Sequence, residues 1–129
     1  MLVWGGIAGT ELLGDGKSYD PVADQWAPIT GLNAPSGRTG HSAVWTGKEM
    51  VILGGTVQDG ETASAHAYDP NLDQWRSLPS AGGPVARVNA AAVWTGREIL
   101  VFGGEAGGAP VGALQRIDPE PPVYLYRKP

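Results

Sequence analysis

The sequence predicts an all-β fold in which one four-stranded unit occurs three times. Three observations carry that prediction. The segments VWTGKEMVILGG (44–55) and VWTGREILVFGG (93–104) are near copies, and the chain opens on MLVWGG, the end of the same phrase. The di-glycines Gly5-Gly6, Gly54-Gly55 and Gly103-Gly104 stand 49 residues apart each time (54 − 5 and 103 − 54). No stretch has the apolar period of an amphipathic helix, and Gly and Pro supply 20 and 11 of the 129 residues, as short strands joined by tight turns require.

Each element of the unit has its own signal. Strand a is expected at about His41 to Thr46 and at Ala90 to Thr95. A tight turn at Gly47-Lys48 or Gly96-Arg97 leads to strand b, Met50 to Leu53 or Ile99 to Phe102; two apolar runs joined by two residues, one of them Gly, signal a hairpin. Strand b is apolar at every position, as expected where both faces of a strand are buried. The di-glycine ends it, at a sharp turn or a close backbone approach. A loop of about ten residues is expected next. Strand c closes on Tyr19-Asp20-Pro21, Tyr68-Asp69-Pro70 or Ile117-Asp118-Pro119, where the Asp-Pro step starts a turn. Strand d carries Trp26, Trp75 or Tyr124. All three copies align without a gap, so one repeat domain divides into units 1–35, 36–84 and 85–129. The first unit has no counterpart of strand a.

Four strands per unit of this length, with a di-glycine after the second, resemble the Kelch repeat of β-propellers. Arg38 and Arg87 before strand a, His41-Ser42 opening it, and the spacing Gly54-Gly55, Tyr68, Trp75 carry the resemblance. A WD40 propeller fits less well, because the repeat is longer and no Trp-Asp dipeptide occurs. The third copy departs from the pattern, with Ile117 for Tyr, Tyr124 for Trp, and Pro121-Pro122 in its turn. The resemblance implies that each unit is one blade with strand a innermost, and that the di-glycine, the strand-c aromatic and the strand-d Trp pack blade on blade. Trp26, Trp45, Trp75 and Trp94 are therefore expected in the core, with Trp26 and Trp75 largely buried between neighbouring blades.

Composition narrows the function. The net charge of −4 and nine scattered Lys and Arg give no nucleic-acid footprint. No apolar run approaches a membrane span or the core of a signal peptide. With no Cys, disulfides and thiolate metal sites are excluded. His41 and His66 lie on different strands without a metal-ligand cluster, and no metal or other cofactor is expected. His41 and Ser42, adjacent on a strand, point to opposite faces and form no catalytic dyad. Asp20, Asp69, Asp118, Asp24 and Asp73 are explained by turn chemistry. The di-glycines are not phosphate loops, since no helix follows them. Arg38 and Arg87, near the inner end of each blade, are expected first to bond carbonyls between blades, and second are candidates for an acidic ligand, together with His41. The segments IAGTELLGD, TVQDGETAS and EAGGAPVG escape the repeat, which marks them as binding loops with Gln58, Asp59 and Glu61 as polar candidates.

These features favour a non-catalytic binding or interaction scaffold. Two alternatives stand beside it. One is a piece of a larger propeller. The other is a sugar-processing enzyme of the Kelch-like type acting through Arg38, Arg87, His41 and a carboxylate at the pore mouth; the Cys-linked Tyr cofactor of copper sugar oxidases is excluded by the absence of Cys. Propellers close with about 4–8 blades. Three blades per chain then imply a six-bladed ring of two copies, or completion by the remaining blades of a parent chain. The segment Tyr124 to Pro129 is a candidate to fill the thin inner edge.

Overall fold

Strand pairing follows the repeat in the computed structural model, which describes residues 1–79 and 85–120. The first unit comprises β1 (Leu2–Trp4), β2 (Ile7–Ala8), β3 (Glu11–Leu12), β4 (Gly16–Asp20) and β5 (Gln25–Pro28). The second comprises β6 (Ser42–Trp45), β7 (Met50–Leu53), β8 (Thr56–Val57), β9 (Gly60–Glu61), β10 (Ala65–Asp69) and β11 (Gln74–Leu78). The third contributes β12 (Ala91–Trp94), β13 (Ile99–Phe102), β14 (Glu105–Ala106), β15 (Ala109–Pro110) and β16 (Gln115–Ile117). The middle blade is a complete antiparallel sheet ordered β11-β10-β7-β6, that is d-c-b-a. The first blade, β1-β4-β5, has strands b, c and d alone, and the third pairs β12-β13-β16, strands a, b and c. The strand d expected around Tyr124, and the filling of the inner edge by Tyr124 to Pro129, fall outside the described residues.

The apolar strand b explains how blades stack. Successive side chains of β7 point to opposite faces, and both faces are covered. Met50 and Ile52 join Tyr68, Trp75 and Trp4 in a core between the first and middle blades. Val51 and Leu53 join Val44, Ala65, Ala67, Leu78, Ile99 and Val101 in a second core, between the middle and third blades. Within the blade, Tyr68 and Trp75 are cross-strand partners, as are Tyr19 and Trp26.

Three expectations are corrected. The ten-residue loops after the di-glycines are small hairpins, β2 on β3, β8 on β9 and β14 on β15. Their sequences share little beyond small residues, but glycines with positive φ sit at each turn (Gly9, Gly60, Gly107, Gly108), and glycine adopts that conformation without steric cost. Trp26 is not buried: it is 49% exposed, against 5% for Trp75. Trp75 has the first blade to pack on, whereas among the described residues no blade covers the same face of β5. Trp45 is also exposed, because among the described residues the first sheet offers it no strand a; its counterpart Trp94 packs on the core beside β6. A groove of about 610 Å³ lies there, lined by Met1, Leu2, Ala43, Trp45, Met50 and Pro70 among others.

Candidate functional site

Arg38 and Arg87 are buried, and hydrogen bonds to the chain itself engage both. The Gly6 N–H donates to the Arg38 carbonyl at 2.8 Å, and Arg38 Nη1 donates to the Gly54 carbonyl at 3.0 Å. One blade further on, the Gly55 N–H donates to the Arg87 carbonyl at 2.9 Å, and Arg87 Nη1 donates to the Gly103 carbonyl at 3.2 Å. Arginine and di-glycine thus alternate in a chain of bonds that runs from blade to blade. Arg38 also donates to Ser64 Oγ at 3.0 Å, and Arg87 to the Ala113 carbonyl at 3.0 Å. Engaged in this way, neither guanidinium is presented to an acidic ligand. The glycines are needed for the approach: a Cβ on Gly54, at φ +66°, would lie 2.6 Å from the Arg87 carbonyl oxygen.

His41 is half-buried and packs edge-on against Trp4, with ring centroids 5.5 Å apart. Burial, and then the nearby Arg38 charge, hold its pKa below the usual histidine value; the same two causes lower that of His66. Ser42 does not face His41 as a nucleophile. Its hydroxyl donates to the Ala90 carbonyl at 2.7 Å and ties the inner strands of two blades. Among the described residues no three His, Cys, Asp or Glu side chains gather as a metal site.

The hairpins place the loop candidates differently. Gln58 and Asp59 are exposed at the tip of the middle hairpin. The Glu61 carboxylate accepts from the Gly107 N–H at 2.9 Å and staples this hairpin to that of the third blade. The structure therefore separates Arg38 and Arg87, buried within the blades, from Gln58 and Asp59 on the exposed rim.

The arrangement that sequence reasoning missed lies on the outer strands. Trp75 Nε1 donates to the Thr30 carbonyl at 3.0 Å, and the Thr30 N–H donates to Asp73 Oδ1 at 2.9 Å. The Tyr68 hydroxyl donates to the same Asp73 oxygen at 2.7 Å, and the Tyr68 and Trp75 rings lie 5.1 Å apart. These bonds hold the Asp73 carboxyl below its usual pKa, the Tyr68 hydrogen bond first, then the Thr30 N–H. The middle blade thereby grips both backbone groups of one residue of the first blade. The signal was present in the recurrence of Tyr, Asp and Trp as 19, 24, 26 and 68, 73, 75, but turn chemistry sufficed to explain the Asp. A second missed contact joins the next pair of blades: Arg76 Nη2 donates to Glu49 Oε2 at 2.8 Å and to the Pro119 carbonyl at 2.7 Å.

Both outer faces of the stack are bare among the described residues. On the first blade Met1, Val3 and Trp26 are exposed, and these are the repeat positions of Met50, Ile52 and Trp75, all buried in the middle blade. On the third blade Val93, Phe102 and Leu114 are exposed, and these are the repeat positions of Val44, Leu53 and Ala65, again buried in the middle blade.

The sequence profile of the KLHDC2/KLHL20/DRC7 Kelch-repeats domain matches residues 1–122. No curated protein matches the chain. With one four-stranded blade between two three-stranded sheets of the same repeat, di-glycines stacked against arginine carbonyls and a profile match over nearly its whole length, the chain belongs to the Kelch-repeat family.

Proposed function

We propose that the chain is a non-catalytic interaction scaffold that completes its propeller with a second copy of itself. One observation carries the reading: each end of the stack exposes the face that the opposite end is built to cover. The first blade presents the side that in the middle blade receives a preceding blade. The third presents the side that receives a following one. Phe102 at 54% exposure has a repeat twin, Leu53, at 5%. Apolar faces of this kind are covered in folded proteins by a partner. A head-to-tail contact between two copies covers both faces and closes after two steps, giving six blades. The exposed rim, with Gln58 and Asp59, is where such a ring would meet other proteins.

Complementation tests the head-to-tail geometry. Val3→Glu on the first face and Phe102→Glu on the last should each yield a single-chain species by sedimentation velocity. Mixing the two variants should restore a two-chain species, because one intact interface remains between unlike copies. If the mixture stays single-chain while each variant is folded by circular dichroism, the reading is wrong.

A further inference from the structure

Blade one and blade two carry the same outer-strand device, occupied in one and open in the other. In the middle blade Tyr68, Asp73 and Trp75 hold Thr30 by its N–H and its carbonyl. In the first blade the Tyr19 hydroxyl donates to Asp24 Oδ1 at 2.8 Å, against 2.7 Å in the twin. The Tyr19 and Trp26 rings are 4.9 Å apart and tilted by 40°, against 5.1 Å and 44°. Asp24 and Asp73 share the left-handed backbone, with φ of 52° and 50°. The carboxylate acceptor and the indole donor are therefore set in place before anything binds. Trp26 is half exposed, and among the described residues no backbone group occupies the position that Thr30 takes against Trp75.

We infer that Tyr19, Asp24 and Trp26 form a preorganised seat for one residue of an extended peptide, gripped by its own N–H and C=O, and that the peptide comes from a second copy of this chain. The inference rests on the ring reading for the source of the peptide and on the twin site for its chemistry. The seat accepts any residue with a backbone N–H and rejects proline at the gripped position. The repeat positions of Thr30 differ in this respect: Thr30 and Lys128 each have a backbone N–H, and Pro79 has none. Beyond the backbone grip, the bare apolar face around Val3 and Trp26 supplies the contact area.

The probe is a capped peptide of residues 27–34, APITGLNA, the segment whose Thr30 fills the twin seat. Titrated into the ¹⁵N-labelled full chain carrying Phe102→Glu, which leaves the first face uncovered, it should move the indole N–H resonance of Trp26 saturably and leave that of Trp75 in place. A peptide with Thr30→Pro should not bind. Trp26→Phe, which keeps a ring but removes the donor, should weaken binding about tenfold, and Asp24→Ala by a similar factor. A Trp26 resonance that stays fixed in the single-copy Phe102→Glu chain, or equal affinity for the Thr and Pro peptides, overturns the seat whether or not the unsubstituted chain pairs in solution. Saturable binding, together with an unsubstituted chain that sediments as a single copy, upholds the seat and overturns its second-copy source.

Discussion

Trp26 and Trp75 occupy one repeat position in two environments, and comparing them isolates what burial contributes. Trp75 loses its surface to the first blade and donates to Thr30; Trp26 keeps half of its surface in water. Trp75→Ala should therefore cost about 3–5 kcal/mol, the range for deleting a large buried side chain. Trp26→Ala in the single chain should cost less than about 1 kcal/mol, as for surface changes. Urea unfolding of both variants at low protein concentration checks the contrast; equal losses would mean that Trp26 is covered. The histidines give a pH test at the same scale. Burial and the Arg38 charge depress the folded pKa of His41 and His66 below the unfolded value of about 6.5. Above that pH both states are neutral and stability is at its full value. As pH falls below it, the unfolded chain takes up protons first and stability declines until the folded pKa is passed. Unfolding midpoints should fall between pH 7.5 and 5, and a His41→Asn, His66→Asn double variant should flatten the slope. A wild-type midpoint that is level or rises on acidification contradicts this.

At the scale of the element, the di-glycine and its arginine act together. Gly54→Ala places a Cβ against the Arg87 carbonyl in a backbone conformation that L-residues resist, so both steric terms oppose it. Arg38→Ala leaves the Gly54 carbonyl without its guanidinium donor and should cost about 2–4 kcal/mol, measured by thermal or urea unfolding. A neutral Arg38→Ala would show that the bond chain adds nothing. Strands a, b and c were legible because their signals are local: the hairpin at Gly47-Lys48, the apolar run Met50 to Leu53, the Tyr-Asp-Pro stop. The small hairpins were not legible. Their two-residue strands bury little and follow no hydrophobic alternation, so only their turn glycines mark them. The exposure of Trp26 and Trp45 was not legible either, because whether a side chain is covered depends on a neighbouring blade and not on its own strand. Arg38 and Arg87 read from sequence first as donors to carbonyls between blades and second as ligand groups; the carbonyls that they meet, Gly54 and Gly103, could not be named from spacing alone.

At the scale of the whole molecule, the described residues stack three blades and leave dissimilar apolar residues exposed at the two ends, Val3 and Trp26 at one and Val93 and Phe102 at the other. The middle blade, covered on both sides, is the internal reference for what those ends would bury. The Arg76–Glu49–Pro119 contact and the Thr30 grip show that junctions between blades are also fixed by polar bonds, so a new junction would select its partner by register as well as by apolar area. The most direct measurement is the native mass of the purified 129-residue chain. The account predicts a stable species of twice the 13.4 kDa chain mass that dissociates when Phe102 is replaced by Glu. A soluble, folded species at 13.4 kDa across the micromolar range would contradict it.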